Sequence, residues 1–85
     1  MERVSSTVLR PGESFIYNGR KVQRNVQGQL GVDDTWDVEC VEFRCTSGVG
    51  NEKRCFARLE GDIVHIYSGN FFGPGMIDRA MVLAQ

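Results

Sequence analysis

The sequence predicts a mostly β fold, a small barrel or roll built from about six antiparallel strands. Two observations support this prediction. Short turn signals, the strongest of them Asn18-Gly19 and Gly61-Asp62, separate runs rich in β-branched and aromatic residues. Within those runs, apolar residues recur at every second position, which is the period of a half-buried strand. A chain of 85 residues fits one small β-rich domain, residues 1–85.

The first hairpin is predicted at Asn18-Gly19. A type I′ turn needs positive φ at both central residues, and Asn-Gly is the dipeptide that best tolerates it. This turn pairs Tyr17 with Arg20 and places Phe15 opposite Val22.

A second turn is predicted at Pro11-Gly12, because proline presets the first φ of a type II turn and glycine supplies the positive one. If it closes a hairpin, Val8 lies beside Phe15 on one face of a three-stranded sheet. Residues 25–34 contain two glycines and two aspartates with weak periodicity. We interpret them as a loop or a bulged crossing between two halves of the fold.

The stretch TWDVECVEFRC predicts a long, bent strand. Its apolar positions are even-numbered from Trp36 to Cys40 and odd-numbered from Val41 to Cys45. A β-bulge produces such a one-residue slip and bends the strand. A bent strand of this length can contribute to two sheets.

The last two predicted strands meet at Gly61-Asp62, a tight turn that pairs Leu59 with Val64. Placing Cys45 opposite Cys55 then collects the apolar residues of three strands on one face. Because a one-residue slip would invert that face, the register is strongly specified.

The C-terminal segment leaves alternatives open. Residues 76–84 fit either a short helix or a closing strand. Before them, Phe71 and Phe72 precede a Gly-Pro-Gly, and neighbouring side chains of an extended chain point to opposite faces. We therefore expect one of these rings to cap the core and the other to serve as a docking surface.

Metal and catalytic chemistry are weakly supported by the sequence. The four candidate zinc ligands lack the paired cysteine spacing of a zinc knuckle, and the predicted register separates the histidine from two of the thiols. They are Cys40, Cys45, Cys55 and His65. We interpret the thiols as small buried hydrophobes and His65 as a half-exposed strand residue beside Arg58. The acidic stretch DDTWD is interpreted as a solvated turn. We expect no catalytic residue, no metal and no cofactor.

The charge balance, the hydropathy and the cysteine count predict where in the cell the protein is located. Ten basic and eleven acidic residues give a formal net charge of −1, which is not the basic excess of a typical nucleic-acid module. No apolar run is long enough to span a membrane, and MERVSSTVLRPGE lacks the apolar run of a secretory signal. Three cysteines, an odd number, favour a reducing compartment. The sequence predicts a soluble cytoplasmic protein.

The predicted function is a non-catalytic protein–protein interaction module, acting as a homodimer or as an accessory to another protein. On the face opposite the core, aromatic and aliphatic residues form an apolar strip with arginines beside it, the composition of many interfaces. The predicted interaction surface comprises Arg44, Phe56, Arg58, Ile63, Tyr67 and Phe71. The alternative is a small OB- or SH3-like β-barrel that binds single-stranded nucleic acid on the same aromatic and basic face.

Overall fold

A computed structural model of the chain describes residues 2–47 and 51–69, with side chains at residues 2–44 and 54–69. Every regular element in these residues is a β-strand. The strands are β1 Glu2–Val8, β2 Ser14–Tyr17, β3 Arg20–Arg24, β4 Leu30–Val32, β5 Thr35–Asp37, β6 Cys40–Ser47, β7 Asn51–Glu60 and β8 Ile63–Gly69. The mostly β prediction is confirmed, with eight strands in place of about six.

The prediction of a small barrel or roll is confirmed only in part, because the eight described strands form two antiparallel sheets and no closed barrel. One, the long sheet, has the order β1-β8-β7-β6, and the other, the short sheet, has the order β2-β3-β4-β5. Within each sheet, strands that are consecutive in sequence lie side by side. The exception is β1, which pairs with β8. The core lies between the sheets, and the outer face of each sheet is the one that points away from the other. The core residues are Leu9, Val22, Leu30, Val32, Val41, Ala57, Val64 and Ile66.

The Asn18-Gly19 hairpin is confirmed. Asn18 and Gly19 have φ angles of 47° and 77°, which are the positive values of a type I′ turn. Tyr17 pairs with Arg20, and two residues further on Phe15 pairs with Val22.

The Pro11-Gly12 turn forms, but it does not close a hairpin. Gly12 has a φ of 86°, and the Glu13 N–H donates to the Arg10 carbonyl over 3.0 Å. Val8 nevertheless pairs with Ile63 of β8, so its predicted position beside Phe15 is wrong. A type II turn does not match the twist of a two-stranded ribbon, and here it carries the chain from one sheet to the other.

The interpretation of residues 25–34 as a loop is wrong at its centre. Leu30, Gly31 and Val32 form a buried strand, β4. Three residues with a glycine in the middle are too short to show a period of two.

The bent strand is confirmed as one segment that serves two sheets, but it is interrupted and not bulged. β5 belongs to the short sheet and β6 to the long sheet, with Val38 and Glu39 between them. The Glu39 carbonyl accepts a hydrogen bond from the Leu59 N–H over 2.7 Å, which fixes the crossing against β7.

The β7–β8 register is confirmed, since Leu59 pairs with Val64. The β6–β7 register differs from the prediction by two residues. Cys55 lies opposite Phe43, and Cys45 lies opposite Lys53. A shift of two preserves the face of every side chain, so the apolar pattern could not distinguish the two registers.

One arginine joins three turns at one end of the molecule. The Arg24 side chain is only 9% exposed. It donates to the carbonyls of Leu9 and Gly28 over 2.9 and 3.2 Å and to Asp62 Oδ1 over 2.8 Å. Because these acceptors lie in connections that adjoin both sheets, Arg24 links one sheet to the other.

The predictions for residues 76–84 and for Phe71 and Phe72 concern residues outside the described ranges. Within those ranges, no helix is long and apolar enough to cross a membrane.

Candidate functional site

The predicted interaction residues lie on the outer face of the long sheet. Arg44 is exposed, Arg58 is half-buried and Ile63 is 40% exposed. Phe71 is outside the described residues.

Phe56 and Tyr67 do not form an exposed strip. Their residues are 0% and 1% exposed, and their rings stack at a centroid distance of 5.0 Å and an interplanar angle of 14°. The predicted opposition of Phe56 and Tyr67 across β7 and β8 is confirmed. Their predicted exposure is wrong, because this sheet is buried on both faces at that point and not on the core face alone.

The remaining, accessible part of this face carries a polar row that crosses all four strands of the long sheet. Cys40 of β6 pairs with Arg58 of β7, Arg58 with His65 of β8, and His65 with Ser6 of β1. The predicted position of His65 beside Arg58 is confirmed. Paired residues of adjacent strands share a face, so all four side chains start from the outer surface.

One hydrogen bond and two ion-pair contacts join three members of this row to Glu60. Ser6 Oγ lies 2.6 Å from His65 Nδ1, and His65 Nε2 lies 3.4 Å from Glu60 Oε2. The other carboxylate oxygen of Glu60, Oε1, lies 3.2 Å from Arg58 Nη1. With Nε2 protonated, the imidazole accepts a hydrogen bond from the Ser6 hydroxyl at Nδ1, and its Nε2–H lies within ion-pair distance of Glu60.

Serine, histidine and carboxylate in this order are the groups of a hydrolase relay. Here Glu60 is 43% exposed and shares its charge with Arg58. A surface carboxylate neutralised in this way stabilises an imidazolium weakly, because solvent and the second partner screen it. The contacts therefore account for a link between edge strand β1 and the rest of the sheet.

The candidate zinc ligands are not brought together in the described residues. Cys55 is buried and lies on the core face of the long sheet. Cys40 and His65 lie on its outer face. No group of three or more metal-ligating side chains occurs among the residues with described side chains.

Among the described strands β1 pairs only with β8, and its other edge is the second feature of this surface. Val8 is 53% exposed and lies opposite Ile63, so two apolar side chains meet on the outer face. The Leu9 N–H donates a hydrogen bond to the Asp62 carbonyl, so Leu9 and Asp62 form a hydrogen-bonded pair. Hydrogen-bonded and non-hydrogen-bonded pairs alternate along an antiparallel ladder. By that alternation, the backbone N–H and C=O groups of Ser6 and Val8 point away from β8.

Sequence reasoning missed both the polar row and the β1 edge. Ser6 and His65 are 59 positions apart, and no local turn signal links their strands. The available signal was weak, two valines separated by three hydroxyl residues in VSSTV, and this segment was assigned to a hairpin with β2.

Comparison with known proteins gives no relative: no family model, no curated protein and no solved structure matches the chain.

Proposed function

We propose that the chain is a non-catalytic protein-interaction module that associates with a second copy of itself through the edge of β1. The observation that carries the proposal is the pairing of Val8 and Ile63, 53% and 40% exposed, at an edge whose backbone groups point outward. An edge strand with unpaired N–H and C=O groups and apolar side chains is a template for another strand.

The length of the regular part of β1 limits this contact. The pairing with β8 is irregular between Arg3 and Ser5, so only Ser5 to Val8 forms an unbroken ladder. Bulges of this kind shorten the part of an edge that can accept a partner. We therefore expect a small, reversible interface.

The sequence of β1 is complementary to itself. In an antiparallel pair centred on Ser6, Val8 lies opposite Val4 of the second copy, at the point where the regular ladder of β1 ends. Both valines are about half exposed, at 45% and 53%. Equivalent pairs recur on both sides of the two-fold axis, as an isologous dimer requires.

The nucleic-acid alternative has less support. Single-strand binding on a barrel depends on exposed aromatic rings, and Phe56 and Tyr67 are buried against each other. Arg44 and Arg54 face each other across β6 and β7, but Arg54 also lies 3.9 Å from Glu42.

Sedimentation equilibrium over a range of protein concentrations tests the proposal. We expect a monomer–dimer equilibrium for the natural chain and a monomer for Val8→Glu, because a charge at the edge opposes strand pairing. Ile16→Glu is the matched control, since Ile16 is 67% exposed and lies on β2, in the other sheet. It should dimerise like the natural chain.

A second variant separates the backbone from the side chain. Val8→Pro removes an N–H that points away from β8, so the β1–β8 ladder keeps its bonds while a partner strand loses one. A monomeric natural chain, or dimers that survive both Val8 variants, would contradict the proposal. A monomer that binds a short single-stranded oligonucleotide at low salt would favour the alternative.

A further inference from the structure

The edge of the short sheet opposite β2 carries an exposed aromatic ring among carboxylates. Every residue from Asp34 to Glu39 is exposed, including all of β5. Within this segment Trp36 is 43% exposed and Val38 is 71% exposed. This segment includes β5 of the short sheet, whereas β1 belongs to the long sheet, and the segment does not depend on the proposed dimer.

Gly31 fixes the orientation of the Trp36 indole. The two residues pair across β4 and β5. A Cβ atom built on Gly31 would lie 2.6 Å from Cε3 and 2.7 Å from both Cδ2 and Cζ3 of the ring. Three consecutive ring atoms at nearly equal distances place the face of the indole over Gly31, since an edge-on ring would bring one atom much closer than its neighbours. The opposite face of the ring is therefore turned towards solvent.

The charges around this ring are mostly negative. Asp33 forms an ion pair with Arg20 at 3.1 Å and also accepts a hydrogen bond from the Lys21 N–H. Asp34, Asp37 and Glu39 are exposed and have no ion-pair partner among the described side chains. Of the nearby basic groups, Arg20 is held by Asp33 and by the Arg44 carbonyl, and Lys21 is exposed one strand beyond β4.

We propose that Trp36 is a platform for a cationic side chain, an arginine, carried by an extended segment of a partner protein. A guanidinium stacks on an indole face by a cation–π interaction, for which tryptophan is the best ring. Asp34 and Glu39, within three residues of Trp36, supply the complementary charge, and Asp37 adds to it from the opposite face of β5. Together these carboxylates repel the phosphates of a nucleic acid. Among the described strands β5 pairs only with β4, so its other edge faces the extended segment in this proposal.

The ring gives the test its own signal, because Trp36 is the only tryptophan of the chain. The probe is a five-residue peptide, acetyl-Thr-Arg-Thr-Arg-Thr-amide, titrated at low salt while tryptophan emission is followed. The matched ligand replaces each arginine with citrulline, which keeps the planar shape and removes the charge. We expect saturable quenching by the arginine peptide, with an affinity about 2- to 5-fold above that of the citrulline peptide from stacking alone. The charge of the carboxylates adds to this difference at low salt.

Two variants test whether the peptide binds at Trp36 and the carboxylates near it. Asp34→Asn combined with Asp37→Asn should lower the affinity for the arginine peptide and leave that for the citrulline peptide unchanged. Trp36→Ala, measured by calorimetry, should remove the part of the preference for arginine that comes from stacking and leave only the smaller part that the carboxylates supply. Ile16→Ala is the control, because Ile16 is an exposed side chain of the same sheet on the far edge strand, β2.

Equal affinity for the two peptides, or the same preference for arginine after Trp36→Ala, would overturn the proposal. The absence of any emission change at millimolar peptide would overturn it as well. Val8→Glu should bind the arginine peptide with the affinity of the natural chain. This variant therefore distinguishes a failure of the β1 dimer proposal from a failure of the Trp36 proposal.

Discussion

The two sheets reach a stable form by different means. The strands of the long sheet have seven to ten residues, and those of the short sheet have three to five. The long sheet buries side chains on both faces, with Ile66 on one and Tyr67 on the other. In the short sheet, large side chains on the outer face, such as Ile16, stay exposed.

The short sheet depends correspondingly more on single side chains. Arg20 Nε donates to the Arg44 carbonyl of β6 over 3.0 Å, and Arg24 reaches acceptors near both sheets. Trp36 covers the surface that Gly31 leaves without a side chain. The comparison teaches that apolar packing supports the long sheet, whereas a few specific contacts support the short one.

The largest effect is expected from Phe56→Ala in the long sheet. Truncating a fully buried phenylalanine costs about 3–5 kcal/mol, a large share of the stability of so small a domain. Urea denaturation followed by far-UV circular dichroism measures it. Ile16→Ala in the short sheet is the comparison, and it should change stability by less than about 0.5 kcal/mol. Equal costs would mean that the two outer faces do not differ in packing.

Arg24→Met should rank next. Methionine retains much of the apolar stem but leaves the carbonyls of Leu9 and Gly28 without their donor, at a cost of about 2 kcal/mol. Arg10→Met removes an equal charge from an exposed site and should be nearly neutral. If both substitutions cost the same, the loss reflects charge, and the contact between sheets is not what stabilises the fold.

Gly31→Ala should have a smaller effect, about 1 kcal/mol, because the exposed ring can swing away from the new methyl group. Its tryptophan emission should shift to the red as the ring leaves the sheet. In a Trp36→Ala background, the same substitution should cost less. Equal costs in the two backgrounds would show that the ring does not lie over Gly31 in solution.

Ser6→Ala should have the smallest effect, below about 1 kcal/mol, because it removes one hydrogen bond at an exposed position. The same variant should leave the sedimentation behaviour of the chain unchanged, since the outward N–H and C=O groups of Ser6 remain. A larger loss of stability would show that the link between Ser6 and His65 holds β1 in place.

The local features of the fold were predictable from the sequence. Asn18-Gly19 determines its own turn type, and the Gly61-Asp62 turn determines the register of β7 against β8. The pairing of β1 with β8 was not predictable, because no nearby turn signals a contact between Ser6 and His65. A two-residue change in the β6–β7 register was likewise invisible to a pattern with a period of two.

The candidate surfaces were predictable only in part. Ile63 was correctly expected on the face opposite the core, and Phe56 and Tyr67 were correctly placed together there. Their burial was not foreseen, because alternation within one sheet does not show whether its second face is covered. Trp36 was assigned to the apolar phase of a bent strand, and its packing on Gly31 depends on β4, which a three-residue pattern concealed.

The pairing of the first strand with the last has a consequence for synthesis on the ribosome. Glu2 of β1 lies opposite Ser68 of β8. The first strand therefore cannot pair with β8 until almost all of the described residues have been synthesised. The short sheet, in contrast, is continuous in sequence from Ser14 to Asp37 and needs only local closures. The nascent chain can therefore assemble its middle first and its beginning last. During that interval both edges of β1 are unpaired, and nascent chains on neighbouring ribosomes can meet through them.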